Sequence, residues 1–425
     1  MTASTSKGDG ARPSFGEAAR FWFRLGFISF GGPAGQIAIL HREVVERRRW
    51  LDERAFTDAL NFCMLLPGPE ALQLAIYLGW RLHGIRGGLV AGLGFIGPAV
   101  LLLLGLSWGY ARWGELPAAR GVLLGLQAAV LALVLQALVR ISRRALGTPL
   151  HVALAVAAFV AHGFLRVPFP LIVLVAGGLG IAAAWRVQAP VHVDASAAGA
   201  GGSTVRVILA GLVLWSVPLA IVVALLGADS LWSRIYLFFT QAAFVTFGGA
   251  YAVLGYVTQH LVQDLGWVTA QQSVAGLALA ETTPGPLVIV LQFMGFMAGW
   301  NQPDPLAPAS AAIVAALLAS WATFLPSFVF IFVGAPHLER LTRAPRFAGA
   351  LAAITAAVVG IIATLWLLLA RVVVLPGGIG GGIAWWPLVL AGLVWLLLAR
   401  TRLELPWILA AAALAGLVVQ LAGLA

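Results

Sequence analysis

Charged residues are scarce in this chain of 425 residues, at 10% of the total against 61% hydrophobic residues. Soluble domains carry about 25% charged and about 45–50% apolar residues, so this composition excludes a soluble fold. Cysteine is almost absent, and the single Cys63 excludes an internal disulfide and a multi-cysteine metal site. The seven histidines lack metal-ligand spacing, and no nucleophile elbow, phosphate loop or HExxH motif occurs. We therefore expect no cofactor, no bound metal and no enzymatic activity.

The sequence contains many long apolar runs. Several runs of about 18–22 residues match the hydrocarbon core of a bilayer, which is roughly 30 Å thick. They predict an all-α polytopic membrane protein in contact with the lipid bilayer. The polar first fourteen residues show no apolar stretch of the kind that a cleavable signal peptide has. The net charge of +10 comes from arginines in short loops, which indicate topology and not nucleic-acid binding.

The chain also repeats itself. The sequence SFGGPAG (Ser29–Gly35) matches TFGGAYA (Thr246–Ala252), and LLPGP (Leu65–Pro69) matches TTPGP (Thr282–Pro286) at the same offset. We predict four parts from this pattern. They are an N-terminal repeat over residues 1–186, a linker over 187–205, an unpaired transmembrane helix over 206–232 and a C-terminal repeat over 233–425.

Arginine placement predicts how the two repeats are oriented. The loop His41–Arg54 is strongly basic, whereas its repeat partner Thr258–Ser273 has no Lys or Arg. Because basic loops favour the cytoplasm, the two repeats should have inverted topology, with the N-terminus in the cytoplasm. The broken segments satisfy the same rule if they enter and leave on one side. We therefore predict four re-entrant helical hairpins and about nine full spans.

The Gly/Pro breaks within apolar sequence predict a binding site. A half-helix that starts at membrane depth presents unpaired N–H groups and the positive end of its dipole, which suit an anion. Glycine and proline can also be simple kinks, but breaks at matching positions of two repeats are typical of transporter sites. The predicted substrate-binding residues at the breaks are Gly31, Gly32, Pro33, Gly68, Pro69, Gly248, Gly249, Gly285 and Pro286.

Polar side chains near the breaks extend this predicted site. Arg24 could hold two oxygens of an oxyanion, or could instead extend to the membrane surface. Glu281 and Glu70 lie deepest in apolar sequence and are candidates for carrying a proton. Glu70 has the simpler alternative of stabilisation by the helix dipole, so Glu281 is preferred. The remaining substrate-binding candidates, with Glu70 in a second role, are Gln36, Glu70, Gln73, Thr282, Thr283 and Gln292.

Four segments together resemble a known family. FGGPAGQIAILHREVVERRRWLDERAF, LLPGPEALQLAIYLGW, TFGGAYAVLGYV and LAETTPGPLVIVLQFMGF are similar to the chromate transporter (CHR) family in its long two-domain form. The resemblance covers nearly the whole chain. It implies a bacterial inner-membrane carrier that expels chromate, driven by the proton gradient, with sulfate as a similar oxyanion. Glu70 stands where the resemblance implies a small residue, which again favours Glu281 as the proton carrier.

The sequence thus leads to one hypothesis with three alternatives. The hypothesis is a secondary transporter that exports chromate in exchange for protons. The alternatives are a carrier of sulfate or another oxyanion, a passive anion channel, and a membrane enzyme that reduces chromate. The sequence has no rings of pore charge and no cofactor motif, which disfavours the last two. Nucleic acid is not an expected partner, and the oligomeric state stays open, a homodimer included.

Overall fold

The described part of the chain is built from helices alone. The structure, a computed structural model, describes residues 13–184, 201–247, 249–337, 345–376, 378, 382–401 and 403–423. Within those ranges every regular element is helical. This confirms the predicted all-α polytopic fold class.

The helices of the first half are interrupted twice. The first break covers residues 29–31 and the second covers residues 65–69, and a π-helical turn at Arg42–Arg47 extends α2. The helices are α1 Phe15–Ile28, α2 Gly32–His41, α3 Glu53–Met64, α4 Glu70–Trp113, α5 Pro117–Ala145, α6 Pro149–Gly163 and α7 Phe169–Ala184.

The second half follows the same order after one additional helix, α8 Gly201–Leu226. The third break covers residues 246–249 and the fourth covers residues 283–286, while a π-helical turn at His260–Asp264 extends α10. A 3₁₀ turn at Leu287–Ile289 leads into α12. The helices are α9 Leu231–Val245, α10 Ala250–Gln259, α11 Ala270–Thr282, α12 Val290–Asn301, α13 Pro308–Gly334, α14 Pro345–Val374, α15 Trp385–Arg400 and α16 Leu405–Leu421.

Helix length separates two groups among the nine predicted spans. In the described residues five helices, α4, α5, α8, α13 and α14, are long and apolar enough to cross a bilayer. Helices α6, α7, α15 and α16 are apolar but have only 15 to 17 residues. At 1.5 Å per residue they reach about 23–26 Å, slightly less than the hydrocarbon core. A full crossing by these four stays a prediction.

The first and third breaks reverse the direction of the chain. Near the start of α1, Glu17 pairs with Arg48, which lies just beyond α2, at 3.5 Å. In the second half Arg234, near the start of α9, lies over the ring of Trp267, beyond α10, at 5.3 Å. Because the far ends of both arms meet in each case, α1–α2 and α9–α10 are hairpins.

The second and fourth breaks also form hairpins. Asn301 at the end of α12 donates to Gln272 at the start of α11, at 2.9 Å. Between α3 and α4 the rings of Phe62 and Tyr77 lie 5.9 Å apart. Helix α4 is bent at His83–Gly84, where the backbone is not helical. This bend separates a short arm, which pairs with α3, from a long span.

Equivalent positions of the two halves have the same local structure. A π-helical turn follows both α2 and α10. The Trp50 N–H donates to the carbonyl of Val44 at 2.8 Å, and the Trp267 N–H donates to that of Leu261 at 2.9 Å. The inversion of one half relative to the other stays a prediction.

The predicted part boundaries are only partly within the described residues. Helix α8 begins at Gly201, before the predicted end of the linker at residue 205, and most of that linker lies outside the described residues. Trp215 of α8 donates to Thr240 of α9 at 3.0 Å, and Tyr236 of α9 donates to the Trp215 carbonyl at 2.8 Å. Helix α8 therefore packs on the second half through α9.

Candidate functional site

All four breaks meet at one small cavity, which we call the central cavity. It is narrow and has room for about one water molecule. Every break contributes to its wall, so residues far apart in sequence lie together at this point. The lining residues are Pro33 and Gln36 just after the first break, Pro69, Glu70 and Ala71 at the end of the second, Gly249 and Ala250 at the end of the third, and Pro286, Leu287 and Val288 at the end of the fourth.

Two reciprocal backbone hydrogen bonds join the halves beside this cavity. The N–H of Gly68 in the second break donates to the carbonyl of Thr246 in the third break, at 2.8 Å. The N–H of Gly285 in the fourth break donates to the carbonyl of Ser29 in the first, also at 2.8 Å. Each PGP break is therefore held by the FGG break of the other half. The bonds satisfy backbone groups that lipid could not satisfy.

The half-helix starts at the central cavity favour an anion, whereas the Glu70 carboxyl in the same wall opposes one when it is ionised. Helices α2, α4 and α10 and the turn before α12 all begin at its wall. The first N–H groups of a helix have no partner within that helix, and the macrodipole adds a partial positive charge there. Proline at the start of α2 and just before α4 costs nothing, because its missing N–H would have been unpaired. Four such ends converging on one point form a positively polarised site.

A larger cavity of about 660 Å³ leads to this point, and we call it the basic vestibule. It shares Pro33, Glu70, Gly249 and Ala250 with the central cavity, so the two are adjacent. Its polar lining includes three side chains that can carry positive charge and one phenol. These are Arg140 and Arg144 on α5, His151 on α6 and Tyr251 on α10.

The two intramembrane acids are placed differently around these cavities. Glu281 is only 6% exposed, and its Oε1 accepts a hydrogen bond from the Tyr251 hydroxyl at 2.7 Å. Tyr251 lines the vestibule together with Arg140. Glu70 lines both cavities and makes no hydrogen bond or ion pair with any described residue. One acid is thus coupled to the vestibule through a phenol, and the other is directly at the site.

The sequence comparisons identify the family of the chain. The sequence model of the chromate transporter family matches residues 16–184 and 233–417. The chain belongs to the chromate transporter family. This is a family of membrane transporters and not of enzymes, and the chain is a multi-pass membrane protein.

Three curated relatives cover most of the chain. It is 34% identical over 407 residues to the chromate transport protein of Pseudomonas aeruginosa, covering 94% of this chain and 91% of the relative. It is 28% identical over 403 residues to the chromate transport protein of Cupriavidus metallidurans, with the same coverage of 94% and 91%. It is 28% identical over 363 residues to the probable chromate transport protein of Synechococcus elongatus, covering 84% and 85%. No solved structure matches the chain.

Among the predicted amide ligands of this transporter, only Gln36 lines the central cavity. Its Nε2 donates to the carbonyls of Ser29 and Gly285, so it joins the first and fourth breaks. Gln73 donates to the carbonyl of Pro67 at 2.7 Å, within its own break. Gln292 bridges two helices, donating to Val100 at 2.9 Å and accepting from Ser320 at 3.0 Å. The amides of Gln36 and Gln73 thus support the breaks in this structure, whereas Gln292 joins α4 to α13. Contact of these amides with substrate stays a prediction.

The two predicted threonines and the remaining glycines surround the breaks without lining the central cavity. The hydroxyls of Thr282 and Thr283 both donate to the carbonyl of Leu279, at 2.7 and 2.8 Å, where they cap the end of α11. Gly31 and Gly32 have positive φ values of 92° and 66°, which form the turn of the first break. The prediction for Gly248 falls outside the described residues.

Arg24 lies in a different cavity. This cavity, of about 470 Å³, is lined by Phe21, Leu25, Ile28 and Glu43 and by four arginines. We call it the arginine pocket, and its arginines are Arg24, Arg42, Arg47 and Arg48. Arg24 does not line the central cavity or the basic vestibule. A contact of Arg24 with substrate stays a prediction.

The sequence interpretation missed Arg140, Arg144 and Tyr251 as site residues. It used the arginines other than Arg24 only as markers of topology. The spacing of Arg140 and Arg144 by four residues places them on one face of α5, which is a detectable signal. Tyr251 follows the TFGGA break directly, and with only five tyrosines in the chain its position was also informative.

Proposed function

We propose that this protein is a secondary transporter that exports chromate across the bacterial inner membrane in exchange for protons. One observation carries the proposal: the starts of four half-helices, two from each half of the chain, line a single cavity next to a basic vestibule. Chromate is taken from the printed names of the relatives and from the family. Anion transport is the part that the geometry supports independently.

The vestibule would collect the anion. Clefts lined by charge of one sign raise the local concentration of ions of the opposite sign. Arg140 and Arg144 provide that charge, and the predicted orientation places their end of α5 on the cytoplasmic side. Chromate would enter from the cytoplasm and move toward the half-helix starts behind Pro33 and Gly249.

For chromate to pass through the central cavity, the breaks would have to separate. An oxyanion of five heavy atoms does not fit a cavity with room for about one water molecule. The Gly68–Thr246 and Gly285–Ser29 hydrogen bonds must therefore rearrange during transport. Alternating access would follow if they opened toward opposite sides of the membrane in turn.

The two acids would link this movement to protons. An ionised Glu70 beside the central cavity would repel a dianion, so anion binding requires this carboxyl to be neutral or displaced. Glu281 is buried and contacts the vestibule through Tyr251, which could relay a proton between solvent and the carboxyl. We propose Glu281 as the proton carrier and Glu70 as the group that regulates access of the anion.

A gradient assay tests the proposal, provided that the membrane potential is clamped. A dianion leaves a negative cell downhill by about 4.6 kcal/mol at 100 mV, at about 2.3 kcal/mol per charge, so a channel would also export it. Uptake of radiolabelled chromate should be measured in everted vesicles with potassium and valinomycin, with and without an imposed pH gradient. We expect gradient-dependent, saturable uptake that disappears in Glu281→Gln and falls in Tyr251→Phe.

The matched control is Glu115→Gln, an exposed acid that pairs with Arg120 outside both cavities. It should transport like the wild type. Uptake that ignores the pH gradient in the wild type would contradict proton coupling. Strong preference for sulfate, tested by competition, would favour the alternative of a sulfate carrier.

A further inference from the structure

The arginine pocket has an excess of positive charge that the transport site does not use. Four guanidinium groups and one carboxylate, that of Glu43, line it, and Glu17 pairs with Arg48 from outside the lining, which leaves a net of two positive charges. It shares no lining residue with the central cavity. It shares Arg42 with a groove next to α3.

Two of these arginines have no partner among the described residues. Glu43 accepts from Arg47 at 2.7 Å and lies 3.8 Å from Arg48. Arg24 and Arg42 make no hydrogen bond or ion pair with the described residues. Two unpaired guanidinium groups in one cavity are suited to an anionic ligand with several oxygens, because each presents a planar fork of donors.

The surface next to the pocket is apolar and faces outward. On α1, Phe23 is 58% exposed, Phe27 is 46% exposed and Ile28 is 40% exposed. The rings of Phe23 and Phe27 contact each other edge to face, with centroids 5.3 Å apart. Arg24 lies on the same face of this helix, since residues three and four apart are neighbours. In a bilayer this face would contact lipid tails directly beside the unpaired guanidinium groups.

We propose that the arginine pocket binds the phosphate headgroup of an acidic phospholipid. The phosphate would lie between Arg24 and Arg42, and one acyl chain would run along Phe23, Phe27 and Ile28. Helix side chains point toward the helix N-terminus, so Arg24 extends toward the predicted cytoplasmic surface, where headgroups lie. Basic pockets between membrane helices on this side are suited to anionic headgroups. This inference does not depend on the transported substrate.

Native mass spectrometry of the purified full chain tests the proposal. The protein in detergent is titrated with phosphatidylglycerol and, separately, with phosphatidylcholine. We expect retention of phosphatidylglycerol by the wild type and on the order of tenfold weaker retention by Arg24→Gln/Arg42→Gln. Arg24→Lys/Arg42→Lys, which keeps the charge but loses the fork, should retain an intermediate amount. Arg86→Gln/Arg143→Gln, with two exposed arginines outside the pocket, should match the wild type.

Two outcomes would overturn the inference. The first is equal retention of the acidic and the zwitterionic lipid by the wild type, which needs no variant to fold. The second is binding of inorganic phosphate or sulfate that is lost in the double glutamine variant while lipid retention does not change. That second result would assign the pocket to a free oxyanion. Chromate uptake is measured in the same variants, so that loss of the ligand of the arginine pocket can be told apart from loss of transport.

Discussion

Replacing Gly285 by alanine should damage the contact between the two halves. Gly285 has a φ of +108°, and its N–H donates to the carbonyl of Ser29 at 2.8 Å. A Cβ at this position would lie 2.6 Å from the Cβ of Ala99 on α4. Carbon atoms in contact are about 3.5–4.0 Å apart, so a gap of about 1 Å must open.

Both effects can be given a magnitude. A residue with a side chain at such a φ costs about 1–3 kcal/mol. Overpacking by one methyl group typically costs about 1–3 kcal/mol. Gly285→Ala should therefore destabilise the closed arrangement by about 2–6 kcal/mol. That is a large fraction of the net stability of about 5–15 kcal/mol that proteins usually have.

The assay combines thermal stability with transport. Gel filtration of the detergent-solubilised protein after heating gives an apparent Tm, and everted vesicles give chromate uptake. Gly105→Ala is the matched control, because it lies within α4 with nothing within 4 Å of an added Cβ. Gly105→Ala should not lower the stability, since glycine within a helix is less favourable than alanine by about 0.5–1 kcal/mol.

A second substitution separates the two causes. Ala99→Gly removes the atom that the new methyl group meets, so Gly285→Ala/Ala99→Gly should recover the steric part of the loss but not the φ part. If Gly285→Ala melts and transports like Gly105→Ala, the close approach of the fourth break to α4 is wrong. If the double variant shows no recovery, backbone strain alone explains the loss.

Two further predictions concern side chains of the cavities. Arg140→Gln should raise the KM for chromate by about tenfold or more with little change in Tm, because it removes a charged donor from the vestibule. Vesicle uptake measured against chromate concentration gives this KM. Arg143→Gln, one turn away and outside the vestibule, should match the wild type. Gln36→Leu should lower the apparent Tm, because the carbonyls of Ser29 and Gly285 each lose a donor, which costs about 1–3 kcal/mol of stability. An unchanged Tm would show that this amide does not hold the breaks together.

The sequence predicted the breaks because their chemistry is local. Glycine and proline interrupt helices through their own backbone constraints, so Gly68 and Pro69 are recognisable without knowledge of their neighbours. The repeat then placed the third and fourth breaks by comparison with the first and second. The all-α polytopic fold followed from composition in the same way, since length and hydropathy are properties of single segments.

The partners across the breaks could not be predicted in this way. Gly68 donates to Thr246 of the other half, and no pattern within one segment indicates that pairing. The same limit applies to Tyr251 and Glu281, which are 30 residues apart and meet because two hairpins lie side by side. Arg24 is the opposite case: it is close to the first break in sequence, but it does not line the central cavity. Side-chain direction along a helix decides between this position and the alternative of an arginine that extends toward the membrane surface.

The two contacts between the halves are not equivalent, and this asymmetry bears on how the site opens. At the first, Gly285 and Ser29 are joined by their backbone bond and also by Gln36, which donates to both carbonyls. At the second, Gly68 and Thr246 have the backbone bond, and the residue equivalent to Gln36 is Val253, which has no donor in its side chain. A buried hydrogen bond that breaks without replacement costs about 1–3 kcal/mol, so the contact with fewer bonds should open first. That contact lies next to Glu70, which already lines the vestibule. This asymmetry would therefore favour first access to the site from the vestibule side.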